Sequence, residues 1–194
     1  MIERLTTNEL KLRTPRLEIV AASLPLIETE AQDAVKLAAT LNAEIEDWPP
    51  PGNDENSLRW SVEKLRAHPE HAGFHIWYVI FLEDHHRKLV GLVAFKGPPD
   101  QQGTIESGYS IVERYQRQGI GTEATRAIMR WAFEDPRVKQ ITAETFPELQ
   151  ASIKVMKGCG MTFLGASSSE PGAIRYGVMK QEFEKFLLEQ QSKA

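Results

Sequence analysis

The sequence predicts an α/β fold built on a mixed, largely antiparallel sheet flanked by helices on both faces, and three observations carry that expectation. The runs HIWYVIFLE, LVGLVAFKG and TIESGYSIV follow one another with only polar, turn-rich connections, the pattern of an antiparallel meander. Elsewhere apolar residues recur at three- and four-residue spacing, the pattern of amphipathic helices. The two kinds of segment follow the order β-α-α-β-β-β-α-β-α-β-β-α, with no repeat at a fixed period and no low-complexity tract.

Taken in order, RLEIVAA at residues 16–22 places Leu17, Ile19 and Ala21 on one side and reads as the first strand. From Leu24 to Leu41, residues Ile27, Ala31, Val35, Ala38 and Leu41 share one helical stripe. IEDWPPPGNDENS interrupts it, because three consecutive prolines lack N–H donors and fix φ; SLRWSVEKLRA then resumes a helical pattern. The meander follows, turning first at DHHRK and then at GPPDQQG. Beyond YQRQGIG, residues Ala124, Ala127, Ile128 and Trp131 repeat at helical spacing until Asp135-Pro136 ends the run. VKQITAET reads as a strand and ASIKVMKGCG as a short helix with a glycine stop. MTFLGA and AIRYGVM read as strands, and KQEFEKFLLEQ as a closing charged helix.

A chain of 194 residues, 41% hydrophobic and 26% charged, suits a single domain over residues 1–194 with a sizeable core. No apolar run approaches the roughly 20 residues that span a bilayer, and MIERLTTNELKLR has no apolar signal core, so a soluble, cytoplasmic chain without membrane partners is expected. The single cysteine, Cys159, suits a reducing compartment. A net charge of −4 argues against a broad nucleic-acid surface, so any anionic ligand must be held locally.

YQRQGIGTEA supplies such a place. The first turn of a helix leaves backbone N–H groups unpartnered, with the positive end of the helix dipole behind them. Gly119 and Gly121 carry no β-carbons, so a diphosphate can approach the amides of residues 118–122, and Arg114 and Arg117 add positive charge. The alternative is that the glycines only shape a strand-to-helix turn. A Walker-type loop is excluded by the absence of Lys-Ser/Thr after the last glycine, which disfavours a phosphate-cleaving NTPase. A dinucleotide fingerprint fails for want of an early βαβ unit.

Gln116-Arg117-Gln118-Gly119-Ile120-Gly121 is similar to the Q/R-x-x-G-x-G/A signature of the GNAT superfamily of N-acetyltransferases. ESGYSIVERYQRQGIGTEATRAIMRWAF, ASIKVMKGCGM, LRTPRLEIVAA and RYGVMKQEF resemble the branch containing the ribosomal-protein alanine N-acetyltransferases, so the likeness covers most of the chain. The resemblance implies a GNAT-like acyltransferase fold and acetyl-CoA as co-substrate, its pyrophosphate on the loop and helix start at Gln116, Arg117, Gln118, Gly119, Ile120, Gly121 and Thr122. It implies that the preceding strand splays from its neighbour, so that amides at Ser110, Ile111, Val112 and Glu113 bind the pantetheine arm and polarise the acetyl carbonyl. Ser152 matches the serine that contacts the coenzyme sulfur region and can protonate the leaving thiolate. Glu106, on the same strand, is the first candidate for general base, with a solvent-facing strand glutamate as the plain alternative and Glu170 as a rival. Where the branch often carries Asn, this chain has Leu149, with Gln150 nearby, and its helix offers Met156 and Lys157 in place of a tyrosine acid.

Other residues have plainer readings. His68, His71 and His75 lack the H-E-x-x-H spacing and cysteine partners, so no metal is expected, and His85 and His86 fall in a turn. Cys159 reads as a helix-end residue, and Trp131 and Phe133 as core. Trp48, on the proline-stiffened loop, either walls an acceptor pocket and binds substrate or packs on the core. The expected activity is direct acetyl transfer from acetyl-CoA to a primary amine, on a protein N-terminus or a small molecule, in a ternary complex. The alternative is a non-catalytic acyl-CoA-binding or regulatory module. Exposed strand edges leave a homodimer open.

Overall fold

In the computed structural model, residues 3–4 and 10–192 are described; part of the charged N-terminal run read as lacking a signal core lies outside them. The chain runs β1 (Glu3–Arg4), β2 (Lys11–Arg13), β3 (Leu17–Ala21), α1 (Leu24–Gln32), α2 (Ala34–Thr40), β4 (Glu44–Ile45) and α3 (Glu55–Ala67). It continues β5 (Ile76–Glu83), β6 (His86–Phe95), β7 (Thr104–Ile111), α4 (Ile120–Ala132), β8 (Gln140–Thr145), α5 (Gln150–Gly158), β9 (Thr162–Ala166), β10 (Ile174–Met179) and α6 (Lys180–Gln191). No helix is long and apolar enough to cross a membrane among the described residues.

The strands form one open sheet in the order β1-β2-β3-β5-β6-β7-β8-β10-β9, with β4 beside β6. All neighbours on the main path are antiparallel except β7 and β8. The predicted mixed, largely antiparallel sheet is therefore present, and its β5-β6-β7 meander pairs as expected. The β5–β6 turn is tighter than DHHRK suggested: Asp84 and His85 take φ of 43° and 76°, so the two residues alone make the hairpin.

The predicted long helix over residues 24–41 is two helices. Asp33 is extended at φ −162°, and its carboxylate accepts the N–H groups of Val35 and Lys36, capping α2. The break turns Val35 out of the apolar stripe to 66% exposure, whereas Ile27 and Leu37 are buried.

Each sheet face has its own core. One, under α4, α5 and α6, gathers Leu17, Trp77, Val93, Ile111, Ile128, Ile141 and Phe183; the other, under α1–α3, gathers Ile27, Leu37, Leu65, Tyr78, Ile80 and Leu92. Strand alternation assigns each side chain to a face, and the alternation shifts once in β6. Val79 pairs with Gly91 and Ile80 with Leu89, so Val90 is an extra, bulged residue. Trp131 packs on Phe74 and Trp77 with centroids 5.1 Å away, and Phe133 packs on Phe183 with the rings tilted by 38°.

The bulge brings β6 and β7 close, since a β-carbon on Gly91 would strike the Ser110 carbonyl oxygen and come within 2.9 Å of the Ile111 Cα. Gly91→Ala should lower stability by about 1–3 kcal/mol through backbone displacement, read as a lower urea midpoint with an unchanged m-value.

Candidate active site

The parallel pair β7–β8 is short. Its register covers Thr104↔Gln140, Ile105↔Ile141 and Glu106↔Thr142, after which β7 follows β6 and β8 follows β10. Between them a cleft opens. The Lys96 N–H donates to the Glu106 carbonyl and the Val112 N–H to the Val90 carbonyl, so even-numbered residues of β7 direct their backbone groups at β6. By alternation the amides of Tyr109 and Ile111 face the cleft. Of the stretch Ser110 to Glu113, then, Ile111 presents an N–H to the opening, while the amide of Val112 is engaged elsewhere. Gln116 Nε2 donates to the Ile111 carbonyl at 2.8 Å, tying the loop to the end of the strand.

At the mouth of the cleft the backbone N–H groups of residues 117–122 donate to no acceptor among the described residues. The first helical bond of α4 is Glu123 N–H to the Gly119 carbonyl, at 3.0 Å. Arg117 and Gly119 take positive φ, 60° and 78°, within this run, so the chain coils into a concave row of amides at a helix start, a nest for an anion. The reason for each glycine differs from the steric one read from sequence. A β-carbon on Gly119 would meet only Arg16 Nη2, at 3.4 Å, so its glycine is required by the left-handed backbone of the helix N-cap. Gly121 faces inward, where a β-carbon would lie 3.6 Å from Ile111 and 3.7 Å from Val155.

Glu123 fastens this helix start. Its carboxylate accepts the Thr14 hydroxyl at 2.6 Å and pairs with Arg16 at 2.7 Å, and Arg16 Nη1 also donates to the Gln118 carbonyl. Arg114 pairs with Glu46, so its charge is matched, whereas Arg117 is exposed at the nest.

Across the cleft stands α5. Its N-cap is Leu149, without a side-chain cap, so Ser152 lies inside the first turn of the helix and does not cap it. The Ser152 carbonyl accepts the Tyr109 hydroxyl at 2.7 Å, a bond joining the cleft's two walls, and burial pushes the Tyr109 phenol up to about 12. Gln150 folds back to donate to the Pro147 carbonyl, which occupies the amide that stood nearest the missing asparagine. Burial likewise pushes the Cys159 thiol up to about 12, which keeps it inert as a nucleophile.

On the α3 side of β7 lies a cavity of about 610 Å³, with Ile76, Leu92 and Ala94 at its floor, Pro51, Gly52 and Asn53 at one wall, and Asn56 and Trp60 of α3 at another. Gly108 opens onto it with nothing within 4 Å of where a β-carbon would stand. Glu106 shares the Gly108 face and pairs with Lys96, which lines the cavity. Trp48 does not line it: the indole packs at 6.4 Å on Tyr78 and donates to Glu30 at 3.1 Å, and Trp60 takes the wall instead.

Three polar residues escaped the sequence reading. Glu144 and Arg175 share the Thr142 face of the sheet, next in register to Glu106. Glu144 accepts the hydroxyls of Ser167 and Ser169, and Arg175 reaches Thr142 Oγ1 at 3.3 Å. Their alternation with Ile141, Ala143 and Tyr176 was the available signal. Lys96 had none, because its role depends on β6 and β7 pairing. Glu170 is exposed on the β9–β10 loop. His68, Glu70 and His71 place one ligand atom each within 4.8 Å of the others, a set able to hold a metal ion on the turn after α3, where His68 Nδ1 and Glu70 Oε1 already bond to each other at 3.1 Å.

The family profile described as "Acetyltransferase (GNAT) domain" matches residues 24–162, and the chain belongs to that family. It is an acetyl-CoA-dependent acetyltransferase. The chain is 25% identical to the Bacillus subtilis protein named "Uncharacterized N-acetyltransferase YjdG" over 149 residues, covering 77% of this chain and 88% of that one. Its fold resembles that of a ribosomal-protein-S5-alanine acetyltransferase from Vibrio fischeri, with TM-score 0.61, 17% identity, and coverage of 90% and 98%. It also resembles RimL, a ribosomal L7/L12 alpha-N-protein acetyltransferase in complex with coenzyme A, with TM-score 0.58, 19% identity, and coverage of 86% and 95%.

His75 backs the cavity wall. It is 3% exposed, its ring stands edge-on to Trp60 at 5.8 Å, and its Nδ1 has no hydrogen-bond partner among the described residues. Burial, helped by the charges of His71 and Lys64, lowers its pKa from 6.5 to about 4. The folded chain therefore holds His75 neutral while the unfolded chain protonates it below about 6.5, so stability is lost as pH falls from about 6.5 to about 4. His75→Phe should flatten that part of the stability profile relative to the parent, measured as urea midpoint against pH.

Proposed function

We propose that the chain transfers acetyl from acetyl-CoA to a primary amine by direct attack in a ternary complex, with the amine seated in the cavity over Gly108. The observation that carries this reading is the run of unpartnered amides at residues 117–122, at the open end of the cleft that begins where β7 leaves β8. The nest offers donors spaced for a diphosphate, and the cleft leads from it past Ile111 and Tyr109 towards Glu106 and the cavity. When bound, acetyl-CoA supplies a thioester carbon whose bond to sulfur breaks as the bond to the amine nitrogen forms.

The residues then have distinct tasks. The amides of Tyr109 and Ile111, about 7 Å apart along the strand, serve different acceptors: one donates to the acetyl oxygen, where negative charge develops, and the other to the pantetheine arm. The Glu106 carboxylate attracts the incoming ammonium, which displaces the exposed Lys96 head group, and it accepts the amine proton directly or through a water. The Ser152 hydroxyl, free of capping, stands at the start of α5 to return a proton to the thiolate.

The cavity also favours one kind of acceptor. Among the described residues that line it, Lys96 is the one that carries a charge, and it is paired with Glu106. A polyamine or aminoglycoside carries several positive charges that would each need a carboxylate. An acceptor with one amine and an apolar or amide body, such as a peptide N-terminus, matches the apolar floor and the walls of Asn53, Asn56 and Trp60.

Thiol release from acetyl-CoA with a panel of peptides and polyamines tests the reading. Peptide N-termini should turn over faster than polycations, and Glu106→Gln should lower kcat/KM about a hundredfold or more while coenzyme A affinity stays within about twofold. Gly119→Val, which forces a β-branched residue to positive φ, should weaken coenzyme A binding about tenfold or more by calorimetry. Tight coenzyme binding with no turnover across the panel would overturn this reading of the acceptor.

A further inference from the structure

The acceptor cavity has one wall that is neither helix nor strand. Pro51, Gly52 and Asn53 form it, in a loop rich in proline that begins at Trp48 and ends at the α3 N-cap, Asp54. A single side chain holds both ends of this loop. The Glu30 carboxylate, on α1, accepts Trp48 Nε1 at 3.1 Å and Asn53 Nδ2 at 3.4 Å on one oxygen, and the Tyr78 hydroxyl at 2.6 Å on the other. Halfway along, the Pro51 carbonyl accepts the Ser110 hydroxyl of β7 at 2.5 Å. The wall is thus held from beneath by α1 and from the side by the strand that carries the cleft amides.

Glu30 is an expensive residue in this place. It is 6% exposed, its three hydrogen-bond partners are uncharged, and no ion pair compensates it among the described residues. A buried carboxylate without a cation is destabilising relative to an apolar residue of similar volume unless its acceptor capacity is used. Two of the three donors come from opposite ends of the Trp48–Asn53 loop, and the third from Tyr78, whose ring belongs to the core beneath. Burial raises the Glu30 pKa against the lowering effect of those three bonds, as expected of a carboxylate kept for its lone pairs.

We propose that Glu30 is a positioning residue for acceptor binding, its buried carboxylate clamping the two ends of the Trp48–Asn53 loop so that the wall stands at a fixed distance from Ser110 and Gly108. The proposal rests on the reading of this cavity as the acceptor site. Glu30 touches neither substrate. It acts through Trp48 and Asn53, and its effect belongs in acceptor affinity, with the coenzyme site and the chemical step left alone.

Glu30→Met keeps the volume and removes every acceptor. It should raise the acceptor KM about tenfold or more, with kcat and coenzyme A affinity within about twofold. Glu30→Gln should restore KM to within about threefold of the parent, because its carbonyl oxygen still serves Trp48 and Asn53 while its NH2 turns to the Tyr78 hydroxyl. Tyr78→Phe removes the core donor alone and should lower Tm without moving the acceptor KM. If Glu30→Met lowers Tm with KM unchanged, or if Glu30→Gln fails to restore KM, the clamp is only part of the core and the proposal falls. Should Glu30→Met not fold, the double variant Trp48→Phe, Asn53→Leu must show the same rise in KM, and an unchanged KM there overturns the proposal. Trp60→Ala separates the two layers of inference. An unchanged acceptor KM in that variant defeats the cavity as acceptor site, whereas a raised KM beside an inert Glu30→Met defeats the clamp alone.

Discussion

Two parallel strands that pair for three residues and then part company organise this protein. β7 and β8 meet at Thr104–Glu106 and Gln140–Thr142, and beyond that each keeps only its outer neighbour. A sheet normally satisfies both edges of every interior strand. Here the amides of Tyr109 and Ile111 are left in the middle of the sheet without a strand to face, a cost that only a ligand or water can offset. Everything chemically interesting is arranged around that gap. The amide nest lies at its wide end, Glu106 at its apex, and α5 along its far side.

The nest shows how sequence and backbone divide the work. Arg117 and Gly119 at positive φ bend the chain so that successive N–H groups converge, and the interval from Gln116 to Glu123 contains no side chain that takes them. Gln116, Gln118 and Glu123 spend their polar groups elsewhere, on the Ile111 and Arg114 carbonyls and on Thr14 and Arg16. Side chains brace the loop from outside and leave its inner surface to the backbone.

Much of this was legible in the linear sequence because it depends on local pattern. The meander, the amphipathic α4 with its start at YQRQGIG, and the closing strands and helix follow from periodicity and turn residues. The break at Asp33 was missed because the apolar spacing runs through it, and only a capping carboxylate marks it. Trp48 was ambiguous because a tryptophan on a proline-rich loop fits either a pocket or a core, and the choice was made by Glu30, 18 residues away. Glu144 and Arg175 were marked only by their alternation with apolar neighbours, whereas Lys96 became visible only with the strands in register, since it matters for what stands beside it on a neighbouring strand.

Tyr109 projects from one bank of the gap and its hydroxyl bonds to the Ser152 carbonyl on the other, 43 residues away. A tie of that kind behaves as a spacer bar. It resists both collapse of the opening and further spreading, so the aperture has a gauge before any guest arrives. The entropy of ordering the two banks is already spent in the empty protein, and a slender flexible arm threading between them meets walls that need not move.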